Sequence, residues 1–247
     1  MDSRLISSLQ HPLVKKICKL KEDNSYRNEH HLIVVTKDSI IQEIEPHHPI
    51  EILLYLEGSP FHKILKAKES YAVTKEVLKK CLGYESKDAL VAVFKKPVEK
   101  KNFSFPWLVL DGIQDPGNVG TLFRSALAFD FKTVILLEGC SDPYHDKTIK
   151  AARGSTFFLD IHSFSISSFL SLCETKEAKI YYAAAHSTPL KSIEFDKNTA
   201  LVLGNEGHGV CQQVQKIGEG IGIKMNPLSE SLNVAIAGSI LMHEWKK

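Results

Sequence analysis

Three polar segments, the first two of them glycine-bearing, hold the residue types able to do chemistry, and each leaves a short apolar run. The first, Leu110-Asp-Gly-Ile-Gln-Asp-Pro-Gly-Asn-Val-Gly-Thr-Leu-Phe-Arg124, leaves through a Gly/Pro turn and enters a helix near Asn118. Taken alone, Asn118 reads as the N-cap of that helix and Arg124 as a surface cation. The second, Leu203-Gly-Asn-Glu-Gly-His-Gly209, sets Glu206 at a helix N-terminus, where a carboxylate is favoured. Its glycines let backbone approach a ligand closely. The third, Ile223-Lys-Met-Asn-Pro-Leu-Ser-Glu-Ser-Leu-Asn-Val234, passes from a strand through a polar turn into the last helix, with Ser231 as a candidate cap.

The elements around these loops follow from hydrophobic patterning. Trp107–Leu110, Thr133–Leu137, Phe157–Ile161, Lys179–Ala184, Ala200–Leu203 and Ile221–Met225 are short apolar runs of the kind that form buried parallel strands. A helix over Ser231–Trp245 closes the chain. The pattern is that of an α/β domain with a mostly parallel sheet, in which ligands gather beyond the carboxyl ends of the strands. Before it, strands are expected at Leu32–Val35, Ile50–Leu56 and Ala89–Phe94, and helices at Asp38–Ile44, Phe61–Lys68 and Lys75–Leu82. The charged, proline-bracketed stretch Lys95–Pro106 reads as a linker. The chain thus divides into a smaller α/β domain at 1–96, a linker at 97–106 and a larger domain at 107–247.

Composition excludes several classes. With 247 residues, 43% hydrophobic and 24% charged, the chain is neither low-complexity nor disordered. No apolar stretch approaches the roughly 18–20 residues that span a bilayer, and no secretory pattern opens the chain, so a cytoplasmic location is expected. The five cysteines are widely spaced without a Cys-x-x-Cys pair, and the adjacent histidine pairs diverge, so no metal site is expected. There is no P-loop sequence and no nucleophile elbow. Ile217-Gly-Glu-Gly-Ile-Gly222 has G-x-G-x-G spacing and leads from a helix into a strand, the reverse of a dinucleotide fingerprint. The net charge of +2 divides as +3 over residues 1–100 and −1 over the rest. Within the basic half, Lys15, Lys16, Lys19 and Lys21 share a segment in which Leu13, Ile17 and Leu20 keep helical spacing. That pairing of faces makes a candidate phosphate-binding strip of Lys15, Lys16 and Lys19.

Taken in order, Asp-Pro-Gly-Asn-Val-Gly-Thr-Leu-Phe-Arg, Gly-Asn-Glu-Gly and Ile-Lys-Met-Asn-Pro-Leu-Ser-Glu-Ser-Leu-Asn-Val-Ala resemble the three motifs of the SpoU, or TrmH-like, RNA ribose 2′-O-methyltransferases of the SPOUT superfamily. Ile6-Ser-Ser-Leu-Gln-His-Pro-Leu-Val-Lys and the stretch from Val73 to Pro97 resemble the L30e-like RNA-binding domain that many members carry. The resemblance implies a SPOUT catalytic domain with a C-terminal trefoil knot, S-adenosylmethionine as methyl donor, and a homodimer. Position by position, it assigns Asn118, Arg124, Glu206, Ser231 and Asn233 to catalysis. Leu203, Gly204, Ile223, Met225 and Leu232 become cofactor contacts, largely through backbone. The implied substrate is RNA, 23S rRNA ahead of tRNA, without metal or membrane partners. The rival expectation is a non-catalytic RNA-binding module on the same scaffold.

Overall fold

The computed structural model describes residues 5–59, 64–86, 89–100, 103–189 and 197–246. They form two compact units, one reaching to Val98 and including Tyr144–Lys150, the other formed by Glu99–Pro143 and the chain from Ala151 onward.

The first unit runs β1 (Leu5–Ile6), α1 (Pro12–Glu22), α2 (Asn24–His30), β2 (Leu32–Val35), α3 (Asp38–Ile44), β3 (Ile50–Leu56), β4 (Ala67–Val73), α4 (Lys75–Leu82) and β5 (Leu90–Lys95). Its sheet has the order β1-β4-β3-β5-β2, with β5 antiparallel to both neighbours and the other pairs parallel. Helix α1 opens on Pro12, whose missing N–H costs nothing in the first turn, while the His11 ring accepts from Leu13 N at 3.2 Å. Its buried residues Val14, Ile17 and Leu20 join Ile6, Val77, Cys81 and Val91 in the core. Two cations close helix ends here. Lys21 donates to the carbonyls of Cys81 and Leu82, the last of α4. The buried Arg27 donates to those of Leu20 and Lys21 at 2.6 and 2.9 Å. Both satisfy carbonyls that a helix C-terminus leaves without partners.

The helix expected over Phe61–Lys68 is not what forms. Residues 61–63 lie outside the described residues, and Ala67 and Lys68 begin β4. In β4 only Ala72 and Val73 are buried, so the strand carries polar residues that mask its period.

In chain order the second part adds β6 (Trp107–Asp111), α5 (Pro116–Ala128), β7 (Thr133–Leu136), α6 (Asp146–Ala152), β8 (Asp160–Ser163), α7 (Ile166–Thr175), β9 (Lys179–Pro189), β10 (Thr199–Gly204), α8 (Gln212–Ile217), β11 (Glu219–Gly222) and α9 (Val234–Trp245). The six strands are all parallel in the order β11-β9-β10-β6-β7-β8. Period-two alternation sends Leu108 and Leu110 into one core with Leu122, Phe123, Leu203 and Leu241. Trp107 and Val109 enter another with Phe169, Val202 and Val214. Helices on both faces explain why these strands read as continuous apolar runs.

Several boundaries move. Ser155–Phe157 forms a 3-10 turn, so the strand expected at Phe157–Ile161 starts only at Asp160. The strand expected at Ile221–Met225 ends at Gly222, which leaves Ile223 and Met225 in a loop. The last helix begins at Val234 rather than Ser231, because Asn233 takes the cap. Helix α5 begins at Pro116 with Asp115 as cap, so Asn118 sits inside its first turn.

Where α9 crosses the sheet, Gly238 is required for contact. A Cβ there would lie 2.4 Å from Leu203 Cδ1 and 2.5 Å from Leu122 Cδ2, and both leucines are fully buried. Gly238→Val is therefore expected to destabilise the protein by about 1–3 kcal/mol through overpacking, read as a lower midpoint in urea denaturation. An unchanged midpoint would show that α9 does not pack as described.

Candidate active site

The carboxyl ends of β6 and β10 lie side by side, with Asp111 paired to Gly204, so the first two loops leave the sheet together. In the first, Gly112 turns the chain at φ +66°. The Asp115 carboxylate then accepts from Asn118 N at 2.8 Å and fixes the start of α5. In the second, Asn205 and Gly209 exchange two backbone hydrogen bonds of 3.1 and 2.8 Å. A Cβ on Gly204 would fall 2.2 Å from the Gly209 carbonyl carbon, so only glycine lets this loop fold back on itself. The Asp111 carboxylate holds the loop's exit by accepting from Cys211 N at 2.7 Å. The third loop ends at Asn233, whose Oδ1 accepts from Ala235 N at 3.0 Å and Ile236 N at 3.2 Å.

One side chain ties the three loops together. Asn118 Nδ2 donates to Glu206 Oε1 at 2.5 Å, and Asn118 Oδ1 accepts from Asn233 Nδ2 at 3.0 Å. Asn118, Glu206 and Asn233, three of the residues the motif resemblance names, thus meet. Glu206 does not sit at a helix N-terminus, because α8 begins only at Gln212; its carboxylate faces Asn118 instead. Arg124 is exposed and has no side-chain partner among the described residues. Six residues after Asn118, it points about 120° away from it around α5.

A cavity of about 300 Å³ adjoins the cluster. This lies at the small end of the range for ligand sites. Glu206, Ser231 and Asn233 line it, as do Gly204, Ile223, Met225 and Leu232. Leu203 does not; it is fully buried behind the wall, against the position of Gly238. Glu206 is the one charged side chain among the described lining residues. Among these residues the wall offers no cation to a polyphosphate and one carboxylate to a cationic ligand. Sequence reasoning passed over Asn205 and the run Ala183-Ala-Ala185 at the carboxyl half of β9, which also line the cavity. Three alanines in a strand were the available signal, since small side chains leave room beside the backbone.

Of the lysine strip, Lys15 and Lys19 are exposed and Lys16 is half-buried. Lys19 Nζ lies 4.3 Å above the Tyr26 ring, and Lys21 closes α4. Burial pushes the thiols of Cys81 and Cys173 up to about 12 and that of Cys140 to about 11, so all three stay protonated at neutral pH.

Residues 106–243 match the SpoU rRNA Methylase family. Over 177 residues the chain is 30% identical to the 23S rRNA (guanosine(2553)-2′-O)-methyltransferase RlmP of Bacillus subtilis, covering 71% of each protein. Among solved structures, a TrmH-family chain from Porphyromonas gingivalis superposes with a TM-score of 0.83 at 27% identity, covering 96% of this chain and 98% of the other. The SpoU methyltransferase AviRb from Streptomyces viridochromogenes, crystallised with AdoMet, gives 0.82 at 21% identity over 96% and 97%; that likeness concerns the fold.

Asn233 has two separable duties, capping α9 and holding Asn118. Asn233→Ser keeps a capping oxygen and should stay within about 0.5 kcal/mol of wild type in urea denaturation. Asn233→Ala loses the cap and should cost about 1 kcal/mol. Equal stabilities for the two variants would argue against the capping role.

Proposed function

The chain belongs to the SpoU rRNA methylase family, and we propose that it transfers a methyl group from S-adenosylmethionine to a ribose 2′-hydroxyl of 23S rRNA. The observation that carries this reading is the Glu206–Asn118–Asn233 hydrogen-bond chain at the rim of the cavity. Its 23S rRNA target rests on the Bacillus subtilis relative. S-adenosylmethionine supplies an electrophilic sulfonium methyl. A cavity with apolar walls and a single carboxylate fits such a cation. Gly204, Ile223, Met225 and Leu232 would hold the cofactor, and Leu203 supports them from behind.

On the substrate side, negative charge grows on the 2′-oxygen as its proton leaves. Arg124 carries a guanidinium, a group too weakly acidic in its protonated form to serve as a base at neutral pH. Its role is to clamp the neighbouring phosphate and stabilise the alkoxide, and a phosphate oxygen takes the proton. Asn118, locked between Glu206 and Asn233, and the hydroxyl of Ser231 orient the ribose. The first unit serves as an L30e-like RNA-binding domain, with Lys15, Lys16 and Lys19 offering phosphate contacts that carry little sequence information. The segment after β10 forms the trefoil knot that the family resemblance implies. A ribosomal substrate makes the protein cytoplasmic; no helix among the described residues is long and apolar enough to cross a membrane.

Leu232, just before α9, and Ile236 and Ile240 along it keep 36%, 53% and 37% of their surface exposed. Such a stripe is costly to leave in water, and a second copy of the chain is its cover. Sedimentation at low micromolar concentration is expected to show a dimer; a 27.7 kDa species that still methylates RNA would refute it.

Incubation with labelled S-adenosylmethionine and 23S rRNA should place the label on a ribose oxygen, and label found only on bases would refute the reading. Arg124→Ala should slow transfer by about 100- to 1000-fold while the cofactor still binds calorimetrically. Retention of more than a third of the wild-type rate would remove Arg124 from the mechanism.

A further inference from the structure

We propose that Asn205 is the positioning residue for Glu206 and influences methyl transfer only through that carboxylate; the transfer itself rests on the function proposed above. Asn205 Nδ2 donates to the Gly112 carbonyl at 2.8 Å, and its Oδ1 accepts from Gly207 N at 2.8 Å. Its backbone carries both bonds to Gly209. The residue before Glu206 is therefore fixed by four hydrogen bonds, and the residue after it is held by one of them.

The choice of partners gives these bonds their purpose. Glu206 is exposed on a loop that contains Gly207 and Gly209, and glycines leave an unfolded loop many conformations to lose. Among the described residues its own side chain has one restraint, the bond from Asn118. The Gly112 carbonyl belongs to the same loop that leads through the Asp115 cap to Asn118. Asn205 thus anchors Glu206 to the segment that carries its partner, so that donor and acceptor share one frame before any ligand arrives. Asparagine is suited to both tasks. Aspartate could accept from Gly207 but not donate to Gly112, and serine could close the turn but not span the gap. Asn205 also lines the cavity, so a direct contact with the cofactor is the competing role.

A double-mutant cycle with Glu206→Gln separates the two. Asn205→Ala alone should lower the transfer rate at saturating substrates by roughly 10- to 100-fold, the scale of a misplaced catalytic group. In the Glu206→Gln background it should change the rate less than about twofold, because the carboxylate it positions is already gone. In the Glu206→Gln background, Asn205→Ala should leave the dissociation constant for S-adenosylmethionine within about threefold. Additive losses of rate, or a cofactor affinity that falls further in that background, would overturn the proposal. If Asn205→Ala does not fold, Asn205→Ser runs the same cycle under the same criteria. One readout needs no turnover and so stands apart from the proposed activity. In NMR spectra of the apo protein, the Asn118 side-chain amide proton bound to Glu206 should shift upfield in Asn205→Ala as it does in Glu206→Gln. An Asn118 resonance unmoved by Asn205→Ala would overturn the assignment even for a chain that methylates nothing.

Discussion

A side-chain amide with a donor engaged at one end and an acceptor at the other has one satisfied orientation. Asn118 is in that position, donating to Glu206 and accepting from Asn233. Turned over, it would set its oxygen against a carboxylate and its NH₂ against another NH₂, exchanging two hydrogen bonds for two repulsions. The three loops of the site therefore depend on a single amide that cannot rotate. Asn118 and its partner Asn233 are also tied to helix N-termini: the Asp115 carboxylate accepts from Asn118 N, and Asn233 Oδ1 accepts from Ala235 N and Ile236 N of α9.

For those three residues to meet, chain segments must come nearer than side chains normally allow. Gly204 lets the second loop close on Gly209, and Gly238 lets α9 sit down on Leu203 and Leu122. The parallel sheet provides the rest. Because β6 and β10 are neighbours in register, their loops emerge together although about 90 residues of chain separate them. The core on either side of the sheet thus determines where the polar residues of the site stand, while those residues themselves are largely solvent-facing and contribute little to it.

Much of this arrangement was legible in the sequence, and the exceptions have physical causes. The runs at Trp107, Thr133 and Ala200 read as strands because helices cover both faces of the sheet. Strand β4 did not, because only its last two residues are buried and Lys68, Glu69 and Ser70 face water. Ser231 and Asn233 are both good caps, and nothing local distinguishes them; the bond to Asn118, 115 positions away in the chain, does. The motif order brought Asn118, Glu206 and Asn233 into one list, but it could not say that they touch. Asn205 escaped notice because a turn asparagine beside a glycine is commonplace, and its significance lies in reaching Gly112 across the sheet. In the first unit, charge counting treated lysines alike. The fold distinguishes them, spending Lys21 on a helix end and resting Lys19 against Tyr26.

The distribution of charge in the second unit follows the same economy and bears on the chemistry. Among the described residues lining the cavity Glu206 is the charged one, and Arg124 is not among them. An arginine inside the cavity would pair with Glu206 and cancel the field available to a cationic methyl donor. Left exposed on α5 without a side-chain partner among the described residues, Arg124 is open to an anion arriving from solvent. A solvated guanidinium costs little to maintain, and it gains most from a phosphate that meets it in two-pronged geometry. On the proposed function, cation and anion would go to different places, the positive ligand to the carboxylate at the cavity and the negative backbone to the arginine outside it. The oxygen that must change from hydroxyl to alkoxide would have to be reached from both, and the Asn118 amide, bonded to Glu206 and carried on the same helix as Arg124, is the group placed to orient it.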